Sequence, residues 1–168
     1  VNSSKTAMAL LNTGMITTFH EWVKLREADL QQQQQFDPKQ IQVKPVRWVM
    51  PNIMKESGEI TRQASALGMK WQELMQAVRQ ARLVQLDEQT WQNMQNTNSN
   101  DPSLSWQKVT TWKHRDWRRI VQAFQEGGTL PAPIVLVHDG TPYCLAGNTR
   151  LTICRLLRVK PQVLMVQA

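Results

Sequence analysis

Leu145-Ala146-Gly147-Asn148-Thr149-Arg150-Leu151 is the stretch whose reading decides the fold, because small residues and one arginine stand there between a hairpin and an amphipathic run. Before it, Pro133-Ile134-Val135-Leu136-Val137 and Tyr143-Cys144-Leu145-Ala146 are apolar strand material around the turn His138-Asp139-Gly140-Thr141. An Asp-Gly pair between two such runs is a hairpin signal. After it, a helix is predicted from Asn148 to Arg158, with Asn148 as its N-cap. Gly147 lets the chain bend and a ligand approach the backbone. The first amides of the helix then point outward with the positive end of its dipole, an arrangement that favours a phosphate, and Arg150 adds a planar cationic fork.

With these residues in place, the block from Trp106 to Val166 resembles the ParB/sulfiredoxin-like fold, whose members bind nucleotide phosphates with a Gly-x-x-Arg signature at a strand-to-helix junction. Here the signature is Gly147-Asn148-Thr149-Arg150. The order of elements is similar too: a basic segment and helix from Lys113 to Glu126, a Gly-Gly stop, a Pro-Ile strand, a hairpin, the signature, a helix and a closing strand at Gln162 to Val166. The resemblance implies a nucleoside triphosphate, ATP or CTP, with or without Mg²⁺, held by Gly147, Asn148, Thr149 and Arg150. It also implies a basic residue at the start of the preceding helix. Alignment on Pro133-Ile134 puts Asp116 at that spot, with Arg115 and Arg118 beside it.

Two departures narrow the expectation. Sulfiredoxins need a cysteine inside the signature, and Asn148 stands there, so sulfinic-acid reductase chemistry is excluded. The Glu-Arg-Arg version and the long DNA-binding region of partition proteins are absent from the sequence given, which stops soon after the closing strand. What the resemblance implies is the compact branch found in phage and plasmid proteins and often labelled ParB-like nuclease, some of whose members hydrolyse nucleotides or cleave DNA.

The chain has 168 residues, 41% of them apolar, and is expected to bury one core with a helical extension. No apolar run is long enough to span a membrane, and the first residues lack a secretory apolar core, so a cytoplasmic protein is expected. Val1 in place of Met suggests that residues preceded it. Cys144 and Cys154 read as two buried thiols. The net charge of +7 is uneven: from Leu104 onward nine Lys and Arg face three Asp and Glu. A clustered positive field attracts polyanions, which makes DNA the expected partner, with a host or conjugation-machinery protein as a further one.

Along the chain, Met8, Leu11, Met15, Phe19, Trp22, Val23 and Leu30 give helical spacing from Ser3 to about Gln35, with a break at Gly14. Gln40 to Met50 reads as an edge strand, since Pro45 bars a central position. Pro51 to Asn96 reads as helices. Within it Ala64, Leu67, Gly68, Met69 and Leu74 fall at helix-turn-helix offsets over 59–83, with a second helix predicted from Lys70 to Leu83 and Arg79 and Arg82 facing DNA. A plain helical hairpin packed on the core has the same pattern. The polar stretch Asn96 to Ser103 is expected to separate a helical region, 1–103, from an α+β nucleotide-binding domain, 104–168.

Trp106, Trp112 and Trp117 interleave with Lys108, Lys113, Arg115, Arg118 and Arg119, a combination that can stack on bases and track phosphates. Set in an alternating strand, Trp106 and Trp112 would instead share one face and pack in the core. Arg155 and Arg158 on the signature helix extend the basic set for DNA. No His, Cys and carboxylate spacing suits a structural metal. For phosphoester hydrolysis the candidates are Arg150, His114 as general base and Asp116 as a carboxylate for Mg²⁺, Asp116 and Asp139 being the only aspartates after Leu104. The function expected is therefore a nucleotide-binding, DNA-associated ParB-like protein of a mobile element, with NTPase or DNase activity and inhibition of conjugal DNA transfer as one specific version. The alternative is a non-catalytic DNA-binding or protein-interaction module that keeps the fold as a scaffold.

Overall fold

A computed structural model describes residues 18–34 and 36–168 of the chain. It divides the chain into two compact units, Val1–Ile41 and Gln42–Ala168. In the first, α1 runs over Phe19–Gln34, where Trp22 stacks on Phe19 at 5.7 Å and lies under Arg26 at 5.3 Å. A short 3-10 turn at Pro38–Gln40 follows, capped by Asp37. The expected helical turns around Met8, Leu11 and Met15, and the break at Gly14, lie outside the described residues.

The second unit is mixed α and β. In chain order it holds β1 Arg47–Val49, α2 Ser57–Ala66, α3 Trp71–Arg79, β2 Arg82–Gln85, α4 Glu88–Asn93, a 3-10 turn Asn98–Asn100, α5 Trp106–Thr110, α6 Trp117–Glu126, β3 Thr129–Pro131, β4 Ile134–His138, β5 Thr141–Ala146, α7 Asn148–Leu157 and β6 Gln162–Gln167. Four strands form a sheet in the order β2-β6-β4-β5. In it β4 and β6 run parallel while β2–β6 and β4–β5 are antiparallel. A second, parallel pair joins β1 to β3, so the edge position read from Pro45 holds.

The local reasons are legible. Asp139 and Gly140 both have positive φ, 50° and 79°, as the tight turn between β4 and β5 requires. Gly127 caps α6 in the left-handed conformation, and Gly128 N closes the end on Ala123 O at 2.9 Å. One sheet face carries Ile134, Leu136, Leu145, Leu164 and Val166, against which Ile60 and Ala64 of α2 and Leu74 of α3 are buried. Val135 and Val163, at the alternate positions, are buried as well, so both faces are covered. Each fully buried Leu or Ile contributes about 1.5–3 kcal/mol.

Three expectations change. α3 ends at Arg79, not Leu83, because Arg82–Gln85 leaves the helix to ladder along β6, where Leu83 faces Leu164. Trp106 and Trp112 do not share a strand; Trp106 opens α5, whose N-cap Ser105 accepts from Lys108 N at 3.2 Å, and both indoles are half-buried. The division expected at residue 103 gives way to one at residue 41, since β2 from before that point pairs with β6 from after it in one sheet. Among the described residues no helix is long and apolar enough to cross a membrane.

Candidate functional site

The signature turn opens on a cleft of about 620 Å³. Gly147 sits at φ +87°, left-handed, and an added Cβ would lie 2.8 Å from Pro133 and 2.9 Å from Arg150 Nη2. Only glycine fits both the conformation and the space. Gly147, not Asn148, is therefore the N-cap of α7; the first intrahelical bond of that helix is Leu151 N to Gly147 O at 3.0 Å. The amides of Asn148, Thr149 and Arg150 precede it and have no intrahelical acceptor. Their residues line the cleft.

Asn148 does not cap with its side chain because that side chain is committed elsewhere. Its Oδ1 accepts from Thr97 Oγ1 at 2.9 Å and from Asn98 N at 2.8 Å, and its Nδ2 donates to Asn98 Oδ1 at 2.6 Å. The same Asn98 Oδ1 accepts from Arg115 Nη1 at 2.8 Å, and the guanidinium of Arg115 lies 4.3 Å over Trp112. A guanidinium held on one edge and one face is pre-organised, with its remaining donors available in the cleft. The chain of bonds continues through Thr97 and Ser99, whose Oγ accepts from Trp91 Nε1 at 2.9 Å.

Arg150 is not the free fork that the sequence suggests. It is 8% exposed. Nη1 donates to Pro131 O at 2.5 Å and more weakly to Ala132 O at 3.4 Å, and Nη2 pairs with Glu56. The side chain thus ties α7 to β3 and to the start of α2 beneath the Gly147 turn. The other Oε of Glu56 is buried without a partner among the described residues.

The opposite wall comes from α2: Glu59, Arg62 and Gln63 line the cleft together with Asn96, His114, Arg115 and Asp116. Arg62 pairs with Glu59, Gln63 Nε2 donates to Glu59 Oε1 at 3.1 Å, and Asn96 Nδ2 donates to Gln63 Oε1 at 2.9 Å. Asn96 holds a left-handed φ of 61°. His114 and Asp116, expected near the signature, do line the same cleft and are exposed. Glu59 and Asp116 are its two lining carboxylates, and among the described residues no three His, Cys, Asp or Glu side chains converge as a metal cluster.

Of the other expected contacts, Trp117 is 3% exposed with Arg118 4.6 Å over its ring, so this indole packs in the core instead of offering a face to a base. Lys108 is held by Asp101 at 2.5 Å and by Ser103 at 3.0 Å. Arg155 lies 3.8 Å over Trp91 and donates to both carboxylate oxygens of Glu88 at 2.7 and 2.8 Å. Lys113, Arg119 and Arg158 are exposed, as are Arg79 and Arg82. The thiols of Cys144 and Cys154 are buried, and burial pushes Cys144 up to about 12 and Cys154 higher still, which makes both poor nucleophiles.

Glu56, Glu59, Arg62, Gln63, Asn96 and Asn98 were not singled out by the sequence reading. The outward positions of α2, at 59, 62 and 63 around the buried Ile60 and Ala64, were legible as polar; their meeting with α7 was not. A second cleft, of about 680 Å³, is lined by Asp87, Gln89, Asn93, Gln95 and Gln167 among others and, among the described residues, by no cationic side chain. Comparison of the chain with known protein families, with curated proteins and with solved structures finds no match.

Proposed function

We propose that the chain is a nucleotide-binding, DNA-associated protein of the compact ParB/sulfiredoxin-like type, taking the phosphates of ATP or CTP in the cleft at the start of α7. The observation that supports this reading best is the meeting of unlike phosphate-binding elements in one cavity. Outward amides at the left-handed Gly147 turn and the braced guanidinium of Arg115 line it, with Arg62 on the facing wall. Arg115, and not Arg150, then makes the charge-assisted contact to phosphate, while Arg150 positions the turn from below. Hydrolysis of a phosphoester would use His114 as general base. Mg²⁺ carried by the nucleotide would take Asp116, since such an ion needs only one or two protein carboxylates.

Titration calorimetry with CTP, ATP and GTP, each with and without Mg²⁺ and duplex DNA, tests the reading. Binding of one nucleotide is expected, weakened roughly tenfold or more by Arg115→Ala, the loss of one charge-assisted bond. No heat at millimolar concentration with any of the three contradicts it. A second reading, a binding module without catalysis, is favoured by the pairing of Glu59 to Arg62, which leaves Asp116 as the lining carboxylate without an ion pair among the described residues. Phosphate release assayed on the nucleotide that binds separates the two.

A further inference from the structure

We infer that β2 is the pairing edge for a second copy of this chain, the two strands running antiparallel about a two-fold axis at Val84 so that the four-stranded sheets join edge to edge. The inference goes beyond the nucleotide cleft and is testable without it. β2, Arg82–Gln85, is an outer strand in the order β2-β6-β4-β5. The other outer strand, β5, is partly covered: Gln95 N donates to Pro142 O at 2.8 Å, and Cys144 N donates to Gln95 O at 2.9 Å. No backbone bond of that kind covers β2 among the described residues. In an antiparallel pair, residues that exchange bonds with the neighbour alternate with residues whose groups point away. Leu86 N donates to Pro161 O at 2.9 Å, whereas Leu164 N donates away from β2, to Pro133 O at 2.8 Å. Leu83 stands opposite Leu164 and Val84 opposite Val163, so the phase is fixed: Val84 and Leu86 bond β6, and the N–H and C=O of Leu83 and Gln85 point outward. Two donors and two acceptors thus stand in a row on an exposed edge that has neither a proline nor a bulge, two of the usual guards against pairing.

Self-complementarity selects a second copy as the occupant. A two-fold axis normal to the sheet at Val84 sets Leu83 opposite Gln85 of the second copy, twice, and each such pair exchanges two bonds, so every outward group of both strands is matched. Val84, 38% exposed, then meets its own copy at the central non-bonded position, where side chains approach most closely. Charge agrees with this pairing. The segment Arg79-Gln80-Ala81-Arg82-Leu83-Val84-Gln85-Leu86-Asp87-Glu88 is basic before Val84 and acidic after it. The antiparallel arrangement brings Arg79 and Arg82 of each copy toward Asp87 of the other, with no like charges opposite one another, while a parallel alignment in register would set like beside like. Among the described residues Arg79, Arg82 and Asp87 have no ion-pair partner in their own chain; Glu88 already holds Arg155.

Sedimentation velocity of the full chain, from micromolar to millimolar concentration, tests the pairing. A reversible rise from monomer to dimer is expected, weak because the interface of a short strand is small. Val84→Lys puts two ammonium groups at the axis and should raise the dissociation constant roughly tenfold or more, and a mixture with Val84→Glu should associate more tightly than either variant alone. Register is read by oxidation. Val84→Cys should give a disulfide-linked dimer, because Cα atoms at a non-bonded pair lie about 4.5 Å apart, within disulfide range. Gln85→Cys, out of line with its own copy, should give far less; the native Cys144 and Cys154 are buried and stay out of the reaction. A monomer throughout the concentration range, which would leave the edge to a strand of another protein, overturns the proposal. Association untouched by Val84→Lys overturns it too, as does more covalent dimer from Gln85→Cys than from Val84→Cys.

Discussion

Arg150 shows how one side chain can look like a ligand in the sequence and act as a tie in the structure. A buried guanidinium must find acceptors, and here these are Pro131 O, Ala132 O and the carboxylate of Glu56. Removing it leaves Glu56, already half-satisfied, with no cation. Arg150→Ala is therefore expected to cost about 3 kcal/mol and to lower Tm by roughly 6–12 °C, with Arg150→Lys recovering part of the loss. A thermal melt checks this; an unchanged Tm would show that the pair carries no stability. Asp101 gives a residue-level prediction in pH. Hydrogen bonds from Lys108, then from the backbone and hydroxyl of Ser103, hold its carboxyl down to about 2. A depressed carboxyl stabilises the fold above its unfolded value near 4 and loses that contribution as pH falls toward 2. The stability of Asp101→Asn, followed by denaturant titration from pH 5 to pH 2, should lack this part of the wild-type decline. A carboxyl resonance that titrates near its ordinary value would contradict it.

Among the elements, those fixed by local chemistry were the legible ones. The Asp139-Gly140 hairpin, the Gly127 stop, α7 from Asn148 and the closing strand β6 all follow from turn residues and apolar runs within a dozen positions. β2 was misread as helix because Arg82-Leu83-Val84-Gln85 has no turn signal before it, and only its pairing with β6, far along the chain, makes it a strand. Asn148 was misread as a cap for the same reason. Nothing near it in sequence announces that Thr97 and Asn98 take its side chain, or that the left-handed Gly147 closes the helix end instead. Half of the cleft was thus legible, the α7 half; the wall from α2 and the brace on Arg115 depend on contacts between distant segments.

At the scale of the molecule, the Gln42–Ala168 unit carries sixteen Lys and Arg against nine Asp and Glu, the whole of the net charge of +7. The structure redistributes that charge into kinds with different uses. Lys108, Arg150 and Arg155 hold the fold, Arg115 is braced in a cleft, and Lys70 and Arg79 at the two ends of α3 and Arg82 on β2 are exposed. A count along the sequence weights the part after Leu104, and there Lys113, Arg119, Arg158 and Lys160 are exposed. α2 lines the cleft with Glu59, Arg62 and Gln63 and packs on the sheet core with Ile60 and Ala64. The central claim is that nucleotide phosphate sits on the free amides at the start of α7, and amide NMR of the ¹⁵N-labelled chain tests it most directly. Titration with ATP or CTP should move the resonances of Asn148, Thr149 and Arg150 downfield together, with the Arg115 side chain, at one common affinity. Saturating nucleotide that shifts other amides and leaves these three in place would contradict it.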